Sequence, residues 1–136
     1  MTTKSAPAAH ICRLVVPVDV NEANPNRLRT LRQRMRVTKY HRDTAHKVWL
    51  EAGKPKSTVP VTIDVIIRRG RTMDQGNIWA GLKHVIDGIF KKALTPDDSE
   101  KWLRLGRIEQ ETGGKWRYAP EIEIVVAVAE AETGAG

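Results

Sequence analysis

The sequence predicts an α+β domain, a single small mixed β-sheet with helices packed on it. Two apolar segments carry the sheet. Val61 to Arg68 alternates with Val61, Ile63, Val65 and Ile67 on the core face, and Lys115 to Ala129 does so with Ile122, Ile124, Val126 and Val128. Between them, Asn77 to Leu94 repeats Ile78, Leu82, Val85 and Ile89 at helical spacing, with Ile86 and Phe90 widening the stripe. The order strand, helix, strand, helix, strand, strand suits a mixed sandwich and not a doubly wound sheet.

In chain order, residues 1–9 read as a disordered lead-in, 10–131 as one domain and 132–136 as a flexible tail. Ile11 to Val18 is the first strand, ended by Pro17 and the polar turn Asn21 to Asn26. Arg27 to Arg42 follows with seven basic residues (Arg27, Arg29, Arg32, Arg34, Arg36, Lys39, Arg42) and no acid. Such a run repels itself and reads as a solvated loop or an arm for phosphates. Lys39 to Ala52 is a helix closed by Gly53, with Pro55 behind it. The strand at Val61 runs into the basic loop Arg69-Gly70-Arg71, then Asp74, with Gly76 on the loop before the next helix. After Pro96 come a short helical turn and a hairpin, Leu103 to Glu111 and Lys115 to Ala129, joined by Thr112-Gly113-Gly114. The last strand is apolar on both faces, which predicts a central or doubly covered position.

At 136 residues, 40% hydrophobic and 29% charged, the chain suits one soluble domain. A net charge of +7 and a pI near 9.9 favour a polyanionic partner. The single cysteine, Cys12, excludes an intrachain disulfide framework and a cysteine-rich zinc site; within its apolar run it reads as a small buried hydrophobe. No signal peptide or membrane-length run is present, so the expectation is a cytoplasmic protein with no membrane partner. The histidines (His10, His41, His46, His84) show no metal-ligand spacing, and no phosphate-binding glycine loop or nucleophile turn occurs, so no organic cofactor is expected. The tryptophans Trp49, Trp79, Trp102 and Trp116 read first as core or interface residues, with base stacking the lesser reading for Trp102 or Trp116.

The acids are grouped. Asp74 and Asn77 precede a helix, and either suits its N-cap. Asp87 stands four residues from both Lys83 and Lys91, the spacing of surface ion pairs. In Asp97-Asp98 one carboxylate can cap, but adjacent carboxylates repel unless a cation or donor lies between them. Carboxylates bracketing a lysine in a basic chain suit a divalent cation or proton transfer beside a polyanion.

This constellation resembles the RusA-type Holliday-junction resolvases of bacteria and their phages. That family shows a D-x-D-N motif after a strand, a lysine on the next helix, K-x-x-x-D-[AG]-[LI], and then a D-D doublet. The matching residues are Asp74-Gln75-Gly76-Asn77, Lys83, Asp87-Gly88-Ile89 and Asp97-Asp98-Ser99. The resemblance covers roughly residues 61–111, with Gly76 in place of the second motif aspartate. It implies a RusA-like fold in a two-fold dimer and nicking of branched DNA by a Mg²⁺-dependent endodeoxyribonuclease, with Mn²⁺ as a substitute. It also implies Asp74 and Asp98 as metal ligands, Asp97 as an auxiliary one, Lys83 as transition-state donor, and Asn77 and Asp87 in support. Arg27, Arg29, Arg32, Arg34, Arg36, Lys39, Arg68, Arg69 and Arg71 would contact DNA phosphates. Gly76 keeps open a DNA-binding member that does not cut. A third reading is a basic RNA-binding domain, which leaves the doublet unexplained.

Overall fold

Alternation in β2 (Val61–Arg69) puts Val61, Ile63, Val65 and Ile67 on one face, where all four are buried. In the computed structural model, which describes residues 10–24, 30–91, 93–96, 99 and 101–129, that face meets α2 (Gln75–Phe90). The remaining elements are β1 (His10–Val16), α1 (Leu31–Glu51), β3 (Leu103–Thr112) and β4 (Glu121–Val128), with 3-10 turns at Val20–Ala23 and Gly114–Trp116. The result is α+β with one mixed four-stranded sheet in the order β1-β4-β2-β3. One hydrophobic cluster joins its inner face to both helices, including Leu14, Ile124, Leu82, Phe90 and Trp49.

The lead-in and the tail lie outside the described residues. No helix among the described residues is long and apolar enough to cross a membrane. β4 is central as expected, between β1 and β2 and antiparallel to both. The expected hairpin does not form, and Lys115 to Pro120 is not strand. β3 pairs in parallel with β2 through the α2 crossover, while β4 takes the other edge of β2. The segment from Gly113 to Pro120 therefore passes over the end of β2. Alternation locates both strands, but a Gly-Gly turn cannot reveal that β2 stands between them.

The second correction concerns α1. It begins at Leu31 and not at Lys39, so part of the basic run is helix and not loop. Thr30 and Gln33 form a capping box: Gln33 N donates to Thr30 Oγ1 at 3.1 Å, and Thr30 N to Gln33 Oε1 at 3.2 Å. Repulsion between the arginines is too small at exposed positions to override two satisfied backbone donors and good helix formers. The helix ends near Gly53 as expected. Only His41, Ala45 and Trp49 are buried along it, and Leu31 to Arg36 are exposed throughout.

Two glycines allow close approaches. A Cβ on Gly88 would collide with the Arg42 carbonyl oxygen, so the small residue after Asp87 sets the contact between α1 and α2. His46 Nδ1 lies 3.1 Å from the Gly88 carbonyl oxygen at the same contact. On β3 a bulge puts Gly106 and Arg107 opposite Asp64, whose Oδ1 accepts from Arg107 N at 2.8 Å. A Cβ on Gly106 would strike that oxygen. Cys12 is half-buried against the core, and burial pushes its thiol up to about 11, as suits an unreactive thiol.

Candidate functional site

α2 carries Gly76, Lys83 and Asp87 on the face turned away from the core, with Asp74 capping its N-terminus. Asp74 is its N-cap, with Oδ2 accepting from Gly76 N at 3.1 Å and the Asp74 carbonyl accepting from Asn77 N and Ile78 N. Of the two candidate caps, Asp74 is thus the one used, and Asn77 is a half-buried residue of the first turn. Asp74 Oδ1 makes no hydrogen bond among the described residues. Gly76 lies inside α2 and not on a preceding loop, and its φ is not positive. A Cβ there would sit 3.2 Å from Asp74 Oδ2, a contact that the exposed Asp74 side chain can relieve by turning.

At about 100° per residue, Gly76, Lys83 and Asp87 fall within about 40° of each other on this face, and Asn77 points about 120° from Lys83. Trp79 flanks the stripe and is 48% exposed. His84 is held below its ordinary value of 6.5, first by burial and then by His41, Lys83 and Arg42. Rise per residue limits what the stripe can hold. Asp87 stands about 20 Å along the axis from Asp74, so no single ion spans both. Among the described residues no three His, Cys, Asp or Glu side chains converge. Asp97 and Asp98 lie outside the described residues. A hard-oxygen site with Asp74 needs them, since Asp74 alone supplies one carboxylate.

The loop before Asp74 is clamped from β3. Gln110 Oε1 accepts from Met73 N at 2.7 Å, and Gln110 Nε2 donates to Met73 O at 3.0 Å. Sequence reading missed Gln110, because its role exists only once β3 runs parallel beside β2. The clamp fixes the backbone one residue before the cap.

The basic residues divide. Arg68 sits between Glu111 on β3 and Glu121 on β4, both directly opposite it in register. Its guanidinium contacts them at 3.0 and 2.7 Å, and Glu123 at 2.6 Å. Glu123 also accepts from Arg13 at 2.7 Å. These carboxylates hold the Arg68 charge against its burial. Arg69 donates to Asp19 Oδ1 at 2.9 Å and to the Arg71 carbonyl at 2.8 Å. Lys39 pairs with Asp43. Arg32, Arg36 and Arg71 are exposed and have no ion pair among the described residues. Arg34 is exposed and engaged. Arg27 and Arg29 lie outside the described residues.

Leu31, Arg32, Met35, Arg36, Lys39 and Arg42 border an open groove of about 840 Å³ on α1. A smaller cleft lies at the end of β2, beside the segment Lys115-Trp116-Arg117-Tyr118. That alternation of cations and aromatics was legible in the sequence but was absorbed into the last strand. Trp49 is core as expected, with its indole N–H donating to the Pro55 carbonyl at 2.7 Å. The chain matches no protein-family model and no curated protein.

Proposed function

We propose that the protein is a metal-dependent, structure-specific endodeoxyribonuclease of the RusA type that nicks branched DNA. The observation that carries this reading is the exposed stripe of α2. Its exposed Lys83 lies two and a half turns on from the exposed N-cap Asp74, which follows three residues behind Arg71, a side chain with no ion pair among the described residues. Asp74 and Lys83 are therefore both accessible and not core positions, with half-integral turns setting them about 180° apart around the helix axis. A Mg²⁺ ion, or Mn²⁺ in its place, would be held by Asp74 and Asp98 with Asp97 in support, and would supply an activated water and neutralise charge at the phosphate. Lys83 donates to a phosphate oxygen as charge develops there. Arg32, Arg36 and Arg71 hold neighbouring backbone phosphates, Arg34 alongside them. Arg68 and Arg69 instead brace the sheet beneath the site. Junction resolution requires two symmetric nicks, so the working unit is a homodimer.

One observation favours a second reading, a DNA-binding relative that does not cut. Asp74 Oδ2 is engaged by the helix cap, and residue 76, inside the helix, has no side chain to add a ligand. A labelled four-way junction incubated with Mg²⁺ or with EDTA separates the two. The nuclease reading requires paired nicks in Mg²⁺ alone, lost in Lys83→Ala and Asp98→Asn. Tight junction binding without nicks in either condition would establish the second reading.

A further inference from the structure

The connection from β3 to β4 has to cross the end of β2, because the two strands flank β2 on opposite sides. It packs closely there: a Cβ on Gly70 would touch Arg117 Cα at 3.4 Å. The crossing chain carries Lys115-Trp116-Arg117-Tyr118. Tyr118 is 86% exposed, which no core role explains. Trp116 is half-buried, with Lys115 Nζ 4.6 Å and Arg68 Cζ 5.4 Å from its ring centroid. Arg117 Cζ lies 5.7 Å from the Tyr118 ring. Between this chain and the end of β2 opens a cleft of about 460 Å³, lined by Asp19, Arg69, Arg71, Trp116 and Arg117 among others. Its one lining carboxylate, Asp19, is paired with Arg69 at 2.9 Å. Arg71 and Arg117 have no carboxylate partner among the described residues.

Two uncompensated guanidiniums attract an anion, and aromatic rings with accessible surface attract a flat π-system. We propose that this cleft binds unpaired nucleic-acid strand, with a backbone phosphate between Arg71 and Arg117 and a base stacked on Trp116 or Tyr118. Duplex bases have both faces covered by their neighbours, so the aromatic contribution is gained only with unstacked nucleotides. The inference rests on the nuclease reading and deepens it. Arg71 precedes Asp74 by three residues, so their Cα atoms are at most about 11 Å apart. A strand held in the cleft would therefore lie beside Asp74, and the substrate would be DNA with unpaired nucleotides at its branch.

The test is fluorescence anisotropy in EDTA with a labelled oligothymidylate and a blunt duplex of equal length. Trp116→Ala/Tyr118→Ala should weaken single-strand binding by about 10- to 100-fold and change duplex binding by less than about twofold. Tyr118→Ala alone removes an exposed ring, leaves the melting temperature unchanged, and should still cost about fivefold on the single strand alone. Arg71→Ala/Arg117→Ala should flatten the salt dependence of single-strand binding. Unchanged single-strand affinity in both aromatic variants, or equal losses on the two DNAs, overturns the proposal. Because cleavage is not read, selective single-strand binding with no junction nicking in Mg²⁺ would sink the nuclease reading alone. Junction nicking with no aromatic dependence would sink the cleft alone.

Discussion

Arg68 and Arg69, at the end of β2, direct their charge onto carboxylates of the same molecule. Arg32 and Arg36, on the first turns of α1, project from a helix that buries nothing before His41. In the sequence the two regions look alike, as arginines in a basic chain. They differ in what stands opposite them. Sheet register places Glu111 and Glu121 beside Arg68, with Glu123 a diagonal step away, whereas the first turns of α1 contain no acid. A formal charge of +7 thus says little about where polyanions are met. Among the described residues, Arg32 and Arg36 on α1, Arg71 and Arg117 have no carboxylate partner.

The largest effect should come from the braced region. Arg68→Ala leaves Glu123, only 5% exposed, with Arg13 as its cation, and should cost about 2–3 kcal/mol of stability. Urea melts would show it. The salt dependence of DNA binding in folded protein should not move. A drop in DNA affinity without loss of stability would reverse the assignment.

The opposite pattern is expected on α1. Arg32→Ala/Arg34→Ala/Arg36→Ala should leave stability within about 0.5 kcal/mol. It should weaken binding to all DNA sequences alike and reduce the slope of log K against log salt by about 2–3. Unchanged junction affinity in the triple variant would contradict the phosphate-contact role.

Much of this contrast was within reach of the sequence, and the rest has identifiable causes. The alternation in Val61 to Arg68 and the helical stripe from Ile78 to Phe90 signal correctly because burial dictates them locally. The Thr30–Gln33 capping box is an equally local signal, masked by the charge of the run around it. Arg68's carboxylate partners and the Gln110 clamp could not be seen, since both depend on a parallel pairing of β2 with β3 that no short-range pattern specifies. Asp74 was legible as a cap, and the structure uses it so: Oδ2 caps, while Oδ1 makes no hydrogen bond among the described residues.

Gly76→Asp sharpens the comparison at the site itself. A second carboxylate beside Asp74 Oδ2 should lower stability slightly in EDTA by like-charge repulsion and regain it in Mg²⁺, read as a metal-dependent rise in melting temperature. A nuclease short of one ligand would also cut at lower Mg²⁺. The same loss with and without Mg²⁺ would argue against a metal at this end of α2.

The smallest effect concerns pH. His84 titrates below 6.5 in the folded chain, so between those values the unfolded chain binds a proton that the folded one does not. This contribution to stability is complete above about pH 6.5 and should decline as the pH falls below it. His84→Gln should flatten the fall between pH 7 and 5. An unaltered slope would assign it to other groups.

The central claim is that the exposed stripe of α2 cuts DNA. A four-way junction labelled on each strand in turn, with wild type and Lys83→Ala compared in Mg²⁺ and EDTA, tests it most directly. The account predicts symmetric paired nicks from wild type in Mg²⁺ only. It also predicts a rate about 10²–10³ lower for Lys83→Ala with junction affinity unchanged. Wild-type nicking that persists at the same rate in Lys83→Ala, or tight binding without any nick, would contradict it.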